Sequence, residues 1–386
     1  YQQKLLIIDK IIIRGIYMSN LFDKKKNRKD TNSQKWDRYQ SRDILPMWVA
    51  DMDFESPACI KNSLRKYIDN GIYGYHSEPK DLRDILKKYL KSKGWNIKKD
   101  WIVLMPSVGA SIYSIYNIIP KTSQVIVPTP IYLNFLKAPK HLGRKIKELP
   151  MVIENGRLIL DFKKLLSTAK NNSWLMFVNP QNPGGTVYTK KEIRKLSRII
   201  KEKNITVFSD ELHCDLILQN SSKHTPLASI NSIEKNVIAF YSASKTFNVP
   251  GLSCAFAVIP SKNLRQAFKT NAEGITDDAN ITGLIALISA FNKGWKWRDK
   301  LIKYLNRNLK TLLISLKKHK NANPIIPEAT YLLWLHVKNP NNKDLQSHFE
   351  KYGVGINDGA EFGKKDHIRI NFATTYENVK KATKRI

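Results

Sequence analysis

The sequence is poor in cysteine and has no long uninterrupted apolar run, and both shortages limit what the chain can be. Its 386 residues include three cysteines, Cys59, Cys214 and Cys254, which are far apart and show no metal-ligand spacing. This pattern fits free thiols in a reducing cytosol and predicts no metal site. Charged residues interrupt the apolar opening at 1–17, which therefore falls short of the roughly 18 apolar residues of a membrane-spanning helix. We expect a cytoplasmic protein with no membrane partner.

Acidic side chains are scarce beside basic ones: 33 Asp and Glu face 65 Lys and Arg, and the formal net charge is +32. An excess of this size is typical of proteins that bind nucleic acid or an anionic membrane surface. The lysines are scattered, however, and no basic stripe is interleaved with aromatic residues as single-strand binders require. We therefore expect no nucleic-acid partner.

Short apolar runs alternate with amphipathic stretches through the middle of the chain. A helical pattern at 189–204 shows the alternation well, with Thr189 as its N-cap and Ile193, Leu196 and Ile200 along one face. Such alternation predicts an α/β fold with a mostly parallel sheet of roughly seven strands, sandwiched by helices. The candidate strands are 101–105, 124–130, 144–151, 173–180, 205–211, 237–244 and 254–260.

The pattern changes after about residue 277. A long helical stretch comes first, followed by a strand at 330–337, a short helix near 343–352 and a strand at 367–374. This order predicts a second, smaller α+β domain. We expect the chain to divide into an upstream extension, an N-terminal arm that is part of the small domain, a large domain and a C-terminal small domain, at 1–17, 18–60, 61–280 and 281–386. The extension is suggested by Met18, which is typical of a translation start.

Polar residues follow three of the candidate strands, at the edge of the sheet where open α/β proteins bind ligands. "FVNPQNPGG" (177–185) contains two Asn-Pro steps, "VFSDELHCD" (207–215) places Asp210 at a strand end, and "YSASKTFNVPGL" (241–252) places Lys245 between serines and Thr-Phe-Asn. Each has a structural explanation: a turn, a salt bridge or helix cap, and a solvated charge. The functional alternative is a fixed negative charge facing a cationic ligand atom, beside a nucleophilic lysine.

In this order and about 30 residues apart, "NPQNPGG", "SDELH" and "SASKTFNVPGL" resemble the fold type I enzymes that depend on pyridoxal 5'-phosphate, the aspartate aminotransferase superfamily. The likeness covers nearly all of residues 30–375. It implies the fold of that superfamily, with pyridoxal 5'-phosphate bound by the large domain and an amino acid as substrate.

The resemblance also implies a role for each residue around the cofactor ring. Lys245 would carry the cofactor covalently and then act as general base at the substrate Cα. Asp210 would pair with the pyridine nitrogen and keep the ring an electron sink. Asn182 would donate to the phenolate oxygen, and His213 occupies the position where aminotransferases usually carry a tyrosine with the same task. Tyr132 would stack on the pyridine face.

Five further residues are implied for the phosphate group. Ser242 and Ser244 flank the lysine, and the turn "PSVGAS" contributes Val108 and Gly109 before a helix whose first amides can hold an anion. Tyr73 stands where the superfamily has a tyrosine that reaches the phosphate of the neighbouring subunit. This implies a homodimer with shared active sites.

Arg369, in "HIRINF", lies within an apolar strand, where an arginine is costly unless it is paired. One explanation is a structural ion pair. The resemblance implies instead that its fork binds the substrate α-carboxylate bidentately.

Three features resemble the cystathionine β-lyase, or C–S lyase, branch of the superfamily. They are "TNSQKWDRY" with "LPMWVADMDF" (45–54), Ser253 in place of a phosphate-binding arginine, and the histidine of "SDELH". This branch implies an α,β-elimination that converts cystathionine, cysteine and related amino acids to pyruvate, ammonia and a thiol. An aminotransferase of the same fold is the first alternative, and a regulatory binding protein that retains the cofactor is the second.

Overall fold

A computed structural model describes residues 21–273, 279–338 and 344–386. The expected upstream extension at 1–17 lies outside these residues. None of the helices described is both long and apolar enough to cross a membrane. Within the same ranges, no group of three or more His, Cys, Asp or Glu side chains could hold a metal ion.

The strands of the described ranges, numbered in chain order, are β1 (Leu45–Pro46), β2 (Ile102–Met105), β3 (Val125–Thr129), β4 (Lys147–Pro150), β5 (Val152–Glu154), β6 (Arg157–Ile159), β7 (Trp174–Val178), β8 (Thr206–Asp210), β9 (Val237–Tyr241), β10 (Ala255–Val258), β11 (Ala322–Ile325), β12 (Leu332–Val337), β13 (Val354–Gly355), β14 (Asn357–Asp358) and β15 (His367–Asn371).

The α-helices of the same ranges are α1 (Gln34–Asp37), α2 (Ala58–Asp69), α3 (Leu82–Ser92), α4 (Val108–Ile118), α5 (Asn134–His141), α6 (Phe162–Thr168), α7 (Lys190–Glu202), α8 (Ser244–Phe247), α9 (Lys262–Ala272), α10 (Ile281–Lys293), α11 (Trp295–Leu316), α12 (Leu345–Lys351) and α13 (Tyr376–Arg385). Short 3₁₀ turns cover Lys99–Trp101, Leu227–Ser229, Asn231–Asn236, Pro250–Leu252 and Gly359–Phe362.

The seven predicted strands form one sheet of order β2-β10-β9-β8-β7-β3-β4. β10 runs antiparallel to both of its neighbours, and the remaining pairings are parallel. Strands β3, β7 and β9 are buried along their whole length, and β8 is buried after its first residue, Thr206, as expected when helices cover both faces. The predicted fold class is therefore confirmed. Because β9, β8, β7 and β3 are adjacent and parallel, the segments that leave their carboxyl ends meet at one edge.

A second, antiparallel sheet of order β11-β12-β15-β14 contains both strands predicted for the smaller unit. The N-terminal segment joins this part of the molecule, because β1 pairs with β13. The Asp53 amide also donates to the Ala373 carbonyl at 3.0 Å. Where the domains divide is not settled by these contacts, so the four proposed boundaries stay a prediction.

Helix α7 forms as the sequence predicts. The Thr189 side chain accepts from the Glu192 amide and the Glu192 side chain accepts from the Thr189 amide, which completes a capping box. Ile193, Leu196 and Ile200 are all buried.

The long helical stretch predicted after residue 277 is divided into α10 and α11 by Gly294. A Cβ atom at Gly294 would lie 2.6 Å from Cε1 of Phe247. Because Gly294 has no side chain, the backbone can pass close to the ring of Phe247 at this break. Phe247 lies two residues after Lys245.

Candidate active site

Ten of the eleven residues singled out from the sequence line one cavity of about 610 Å³. It lies at the carboxyl edge of the central sheet, and its ten predicted lining residues are Val108, Gly109, Tyr132, Asn182, Asp210, His213, Ser242, Ser244, Lys245 and Arg369. The second sheet and the N-terminal segment supply further lining residues, among them Trp48, Ala50 and Asn357. The cavity is thus built from three separate parts of the chain.

Tyr73 is the exception. Its side chain is exposed, and its hydroxyl donates to the carbonyl of Ile68 at 2.8 Å, away from the cavity. The neighbouring Ile72 and Tyr75 are exposed too, at 74% and 111%. Its expected role in the site of a partner subunit stays a prediction.

Lys245 lies in the short helix α8, directly after β9. Its Nζ donates to the carbonyl oxygen of Ala50 at 3.0 Å. Burial lowers the pKa of Lys245, the positive charge of Arg369 lowers it further, and the carboxylates of Asp51 and Asp210 act in the opposite direction. The amine therefore loses its proton more readily than a surface lysine does.

Asp210 is the last residue of β8, and its buried side chain faces the same cavity. Burial raises the pKa of Asp210 to about 6, although the Leu212 amide donates to its Oδ1 at 3.1 Å and the charge of Lys245 favours the ionised form. A carboxylate held this way gains from any cationic ligand atom placed beside it.

Arg369 lies on β15, and its side chain is 4% exposed. Its guanidinium donates to three neutral oxygens: the Trp48 carbonyl at 3.1 Å, Asn357 Oδ1 at 2.8 Å and Asn182 Oδ1 at 3.2 Å. Its Nε is buried without a hydrogen-bond partner among the described residues. Burial lowers the pKa of Arg369 to about 10, so the group is still charged at neutral pH. The structural ion pair considered from the sequence is not found within the described ranges, and the arrangement suits an incoming anion.

His213 is buried beside the lysine, with its ring 6.0 Å from that of Tyr331. Burial lowers the pKa of His213 to about 3, helped by the positive charges of Lys245 and Arg369. Its Nδ1 has no hydrogen-bond partner in the described part of the chain. The imidazole is therefore neutral, with its Nδ1 free to bond a ligand.

A helix terminus and two serines form the end of the cavity nearest β2. Ser107 is the N-cap of α4, and its Oγ accepts from the Ala110 amide at 3.1 Å. Ser242 Oγ donates to the Cys254 carbonyl at 2.7 Å and accepts from the Ser244 amide at 3.0 Å. The first amides of α4 can hold an anion here, whereas the proton of Ser242 already has an acceptor.

Sequence reasoning missed several lining residues. Ser107 carried a readable signal, since a serine directly before a helical pattern is a common N-cap. Trp48 and Ala50 act through backbone carbonyls, so their side chains gave no indication. Asn357 is positioned by strand pairing with Arg369, which the sequence pattern does not reveal.

The model of the aminotransferase class I and II family matches residues 44–386. Cystathionine beta-lyase PatB of Bacillus subtilis (strain 168) is 31% identical to this chain over an alignment of 385 residues, which covers 95% of this chain and 98% of PatB. Aspartate aminotransferase of Pyrococcus horikoshii is 25% identical over 357 residues, covering 89% of this chain and 90% of that protein.

The solved structures include similar folds over the same extent. The crystal structure of the PLP-bound C-S lyase from Staphylococcus hominis superposes with a TM-score of 0.87 at 28% identity. The match covers 96% of this chain and 98% of that one.

Proposed function

The chain belongs to the aminotransferase class I and II family, and from this membership we propose that it is a C–S lyase dependent on pyridoxal 5'-phosphate. It cleaves the Cβ–S bond of cystathionine, cysteine or related S-conjugates and yields pyruvate, ammonia and a thiol. The observation that carries the proposal is that Lys245, Asp210 and the guanidinium of Arg369 meet in one cavity. Among the described residues, that guanidinium bonds only to neutral oxygens.

The groups around the cavity suit each end of the cofactor. Lys245 offers an amine for its aldehyde, and the Asp210 carboxylate, with its raised pKa, offers a partner for a protonated pyridine nitrogen. The first turn of α4 suits the phosphate, and Tyr132 lies in the wall for ring stacking. His213 and Asn182 suit the phenolate oxygen. When bound, the cofactor supplies an electron sink for charge that develops at the substrate Cα.

Binding and proton transfer fall to different residues. Arg369 binds the α-carboxylate of the substrate, because the buried guanidinium is still charged at neutral pH. Lys245 Nζ, once free, takes the proton from Cα, since its lowered pKa allows a neutral amine. The thiolate leaves Cβ with the bonding electrons, and water then releases pyruvate and ammonia.

The lyase is favoured over an aminotransferase by the segment that resembles the C–S lyase branch. That segment, 45–54, supplies the carbonyls of Trp48 and Ala50, which accept from Arg369 and Lys245. The segment that resembles the C–S lyase branch therefore contacts Arg369 and Lys245, the two side chains that bind the substrate and take its proton in the proposed reaction. Similarity to PatB and to the C-S lyase from Staphylococcus hominis supports the same choice.

We also propose a cytoplasmic homodimer with shared active sites. Ile68, Ile72, Tyr73 and Tyr75 are exposed large hydrophobic side chains close together in the chain, as expected of a surface that another subunit covers. Such a subunit would bring its own Tyr73 to the phosphate end of the cavity.

The test is a titration of the purified, cofactor-loaded protein with L-cystathionine, in which pyruvate and free thiol are assayed together. Equal amounts of pyruvate and thiol, with the cofactor spectrum restored at the end, support the lyase. Conversion of the cofactor to its amino form, with product only after a keto acid is added, would identify an aminotransferase. A cofactor-loaded protein that forms no product, with or without a keto acid, would favour the regulatory binding protein that retains the cofactor.

A further inference from the structure

Residues 357–362, "NDGAEF", contact the guanidinium of Arg369 through the Asn357 amide and the Phe362 ring. Asn357 pairs with Arg369 across β14 and β15, so the two side chains lie on the same face of the sheet. Asp358 then caps the 3₁₀ turn Gly359–Phe362, with its Oδ1 accepting from the Ala360 amide at 2.8 Å. The turn brings Glu361 and Phe362 back toward the arginine.

Gly359 makes this return possible. A Cβ atom there would lie 2.4 Å from the Lys364 carbonyl oxygen and 2.5 Å from that of His367. With the turn closed, the ring of Phe362 lies 4.5 Å from Cζ of Arg369 and covers one face of the guanidinium. Phe362 in turn packs edge-on to Trp334, with ring centroids 5.6 Å apart, so this platform is fixed by buried aromatic contacts.

Asn357 lies between the arginine and the one carboxylate of this turn that lines the cavity, Glu361. Its Oδ1 accepts from Arg369 Nη2 at 2.8 Å, and its Nδ2 donates to Glu361 Oε2 at 3.1 Å. The amide therefore satisfies both charged groups at once. An aspartate or an alanine at this position could not, because neither has a donor for the glutamate.

The separation of Glu361 from Arg369 matters because a carboxylate that reached the arginine would form a charge-assisted hydrogen bond with it. Such a bond would occupy the donors that the substrate carboxylate needs. At its present position Glu361 favours the charged guanidinium through space without bonding to it. Among the described residues, the hydrogen-bond acceptors of Arg369 are neutral oxygens of Trp48, Asn182 and Asn357.

We propose that Asn357 is a positioning residue: it holds the Arg369 fork in place and keeps the Glu361 carboxylate away from it, so that the fork remains available to the α-carboxylate of the substrate. The proposal rests on the role given to Arg369 in the proposed function. It assigns Asn357 no contact with the reacting atoms.

The test measures binding to the cofactor-loaded protein, followed by the change in cofactor absorbance. The ligands are L-alanine and ethylamine, which differ only in the carboxylate. We expect Asn357→Ala to weaken L-alanine binding about tenfold or more and to leave ethylamine binding unchanged. The double variant Asn357→Ala/Glu361→Gln should recover most of the lost affinity, because the neutral amide no longer competes for the arginine. Glu361→Gln alone serves as the control for loss of the glutamate charge.

A purely structural role for Asn357 predicts a different result. In that case both ligands would weaken together, and Glu361→Gln would not restore binding; either result overturns the proposal. Should Asn357→Ala fail to fold, the isosteric Asn357→Asp should fold and lose L-alanine binding selectively, since it places a carboxylate against Arg369. Retained L-alanine affinity in that variant also overturns it.

The outcome for Asn357 can be separated from that for the reaction. A wild-type protein that prefers L-alanine to ethylamine but releases no pyruvate or thiol would refute the lyase and leave the Asn357 measurement valid. A wild-type protein without that preference would refute the role of Arg369, and the inference with it.

Discussion

The side-chain nitrogen of Lys245 lies 3.0 Å from the carbonyl oxygen of Ala50, which is 195 positions earlier in the chain. The hydroxyl of Tyr331 donates to the same oxygen at 2.9 Å. Asn371 holds the segment on either side, with Nδ2 donating to the carbonyls of Val49 and Asp51, each at 2.6 Å. The lysine is thus positioned by a segment that the second sheet holds in place.

Replacing Lys245 with alanine should remove covalent attachment of the cofactor and lower kcat by about a thousandfold or more, as loss of a nucleophile and general base predicts. Borohydride reduction followed by mass spectrometry should find the reduced adduct on Lys245 in the wild type and nowhere in Lys245→Ala. Lys235→Ala, an exposed lysine outside the cavity, is the matched control. An adduct that persists in Lys245→Ala would contradict the assignment.

Replacing Asp210 with asparagine should stabilise the cofactor-free protein while weakening cofactor binding. The folded pKa of Asp210, about 6, lies above that of an unfolded aspartate, so its ionisation opposes folding. Ionisation of Asp210 lowers the free energy of unfolding only slightly below about pH 4, and by about 2–3 kcal/mol above about pH 6.

Urea unfolding of the cofactor-free protein at several pH values measures this difference. The advantage of Asp210→Asn over the wild type should grow between about pH 4 and 6 and then stay constant. Asp69→Asn, the same substitution at an exposed aspartate, is the matched control. A variant that is less stable than the wild type at pH 7 would mean that the carboxylate is already well paired.

His213 should remain neutral throughout the range in which ordinary histidines titrate. Burial and two nearby cations lower its pKa to about 3, whereas a histidine in an unfolded chain has a pKa near 6.5. NMR of the imidazole protons should therefore show no shift for His213 between about pH 5 and 8. The stability due to the neutral ring should be present above about pH 6.5 and fall as the pH drops toward 3. A midpoint near neutrality for His213 would refute the buried, neutral state.

Replacing Lys35 with methionine should destabilise the protein by about 3 kcal/mol, because it leaves a buried carboxylate with fewer partners. Lys35 is fully buried, and its Nζ lies 3.1 Å from Asp53 Oδ2. The loss should be moderated by Arg28, which also bonds Asp53, at 2.8 Å. The control is Lys25→Met, whose exposed pair with Glu377 should contribute well under about 1 kcal/mol. Equal effects of the two variants in thermal or urea unfolding would show that the buried pair stabilises no more than the surface one.

Much of the fold was readable in advance because the local patterns were strong. The seven strands of the central sheet and the Thr189 cap both form as predicted. The hairpin of β5 and β6 was missed, although Asn155 and Gly156 carried a turn signal and both have positive φ. Each of its strands has only three residues, too few to show a periodic pattern.

The site residues could be predicted from the sequence where the residue type itself indicates a chemical role. Lysine, aspartate and asparagine at successive strand ends pointed to one sheet edge, because parallel strands bring those ends together. Arg369 was recognised as costly in an apolar strand, which is a consequence of burial alone.

What folding added was the relation between distant segments. Whether Arg369 has a carboxylate partner depends on the register of β14 and β15, which places Asn357 opposite it. The side-chain amide of Asn357 then lies between Arg369 and Glu361. The acceptor for Lys245 is a backbone carbonyl, and every residue type has one. The sequence therefore determines which reactive and charged side chains the protein contains, whereas tertiary packing determines which charges are paired and which remain available to a ligand.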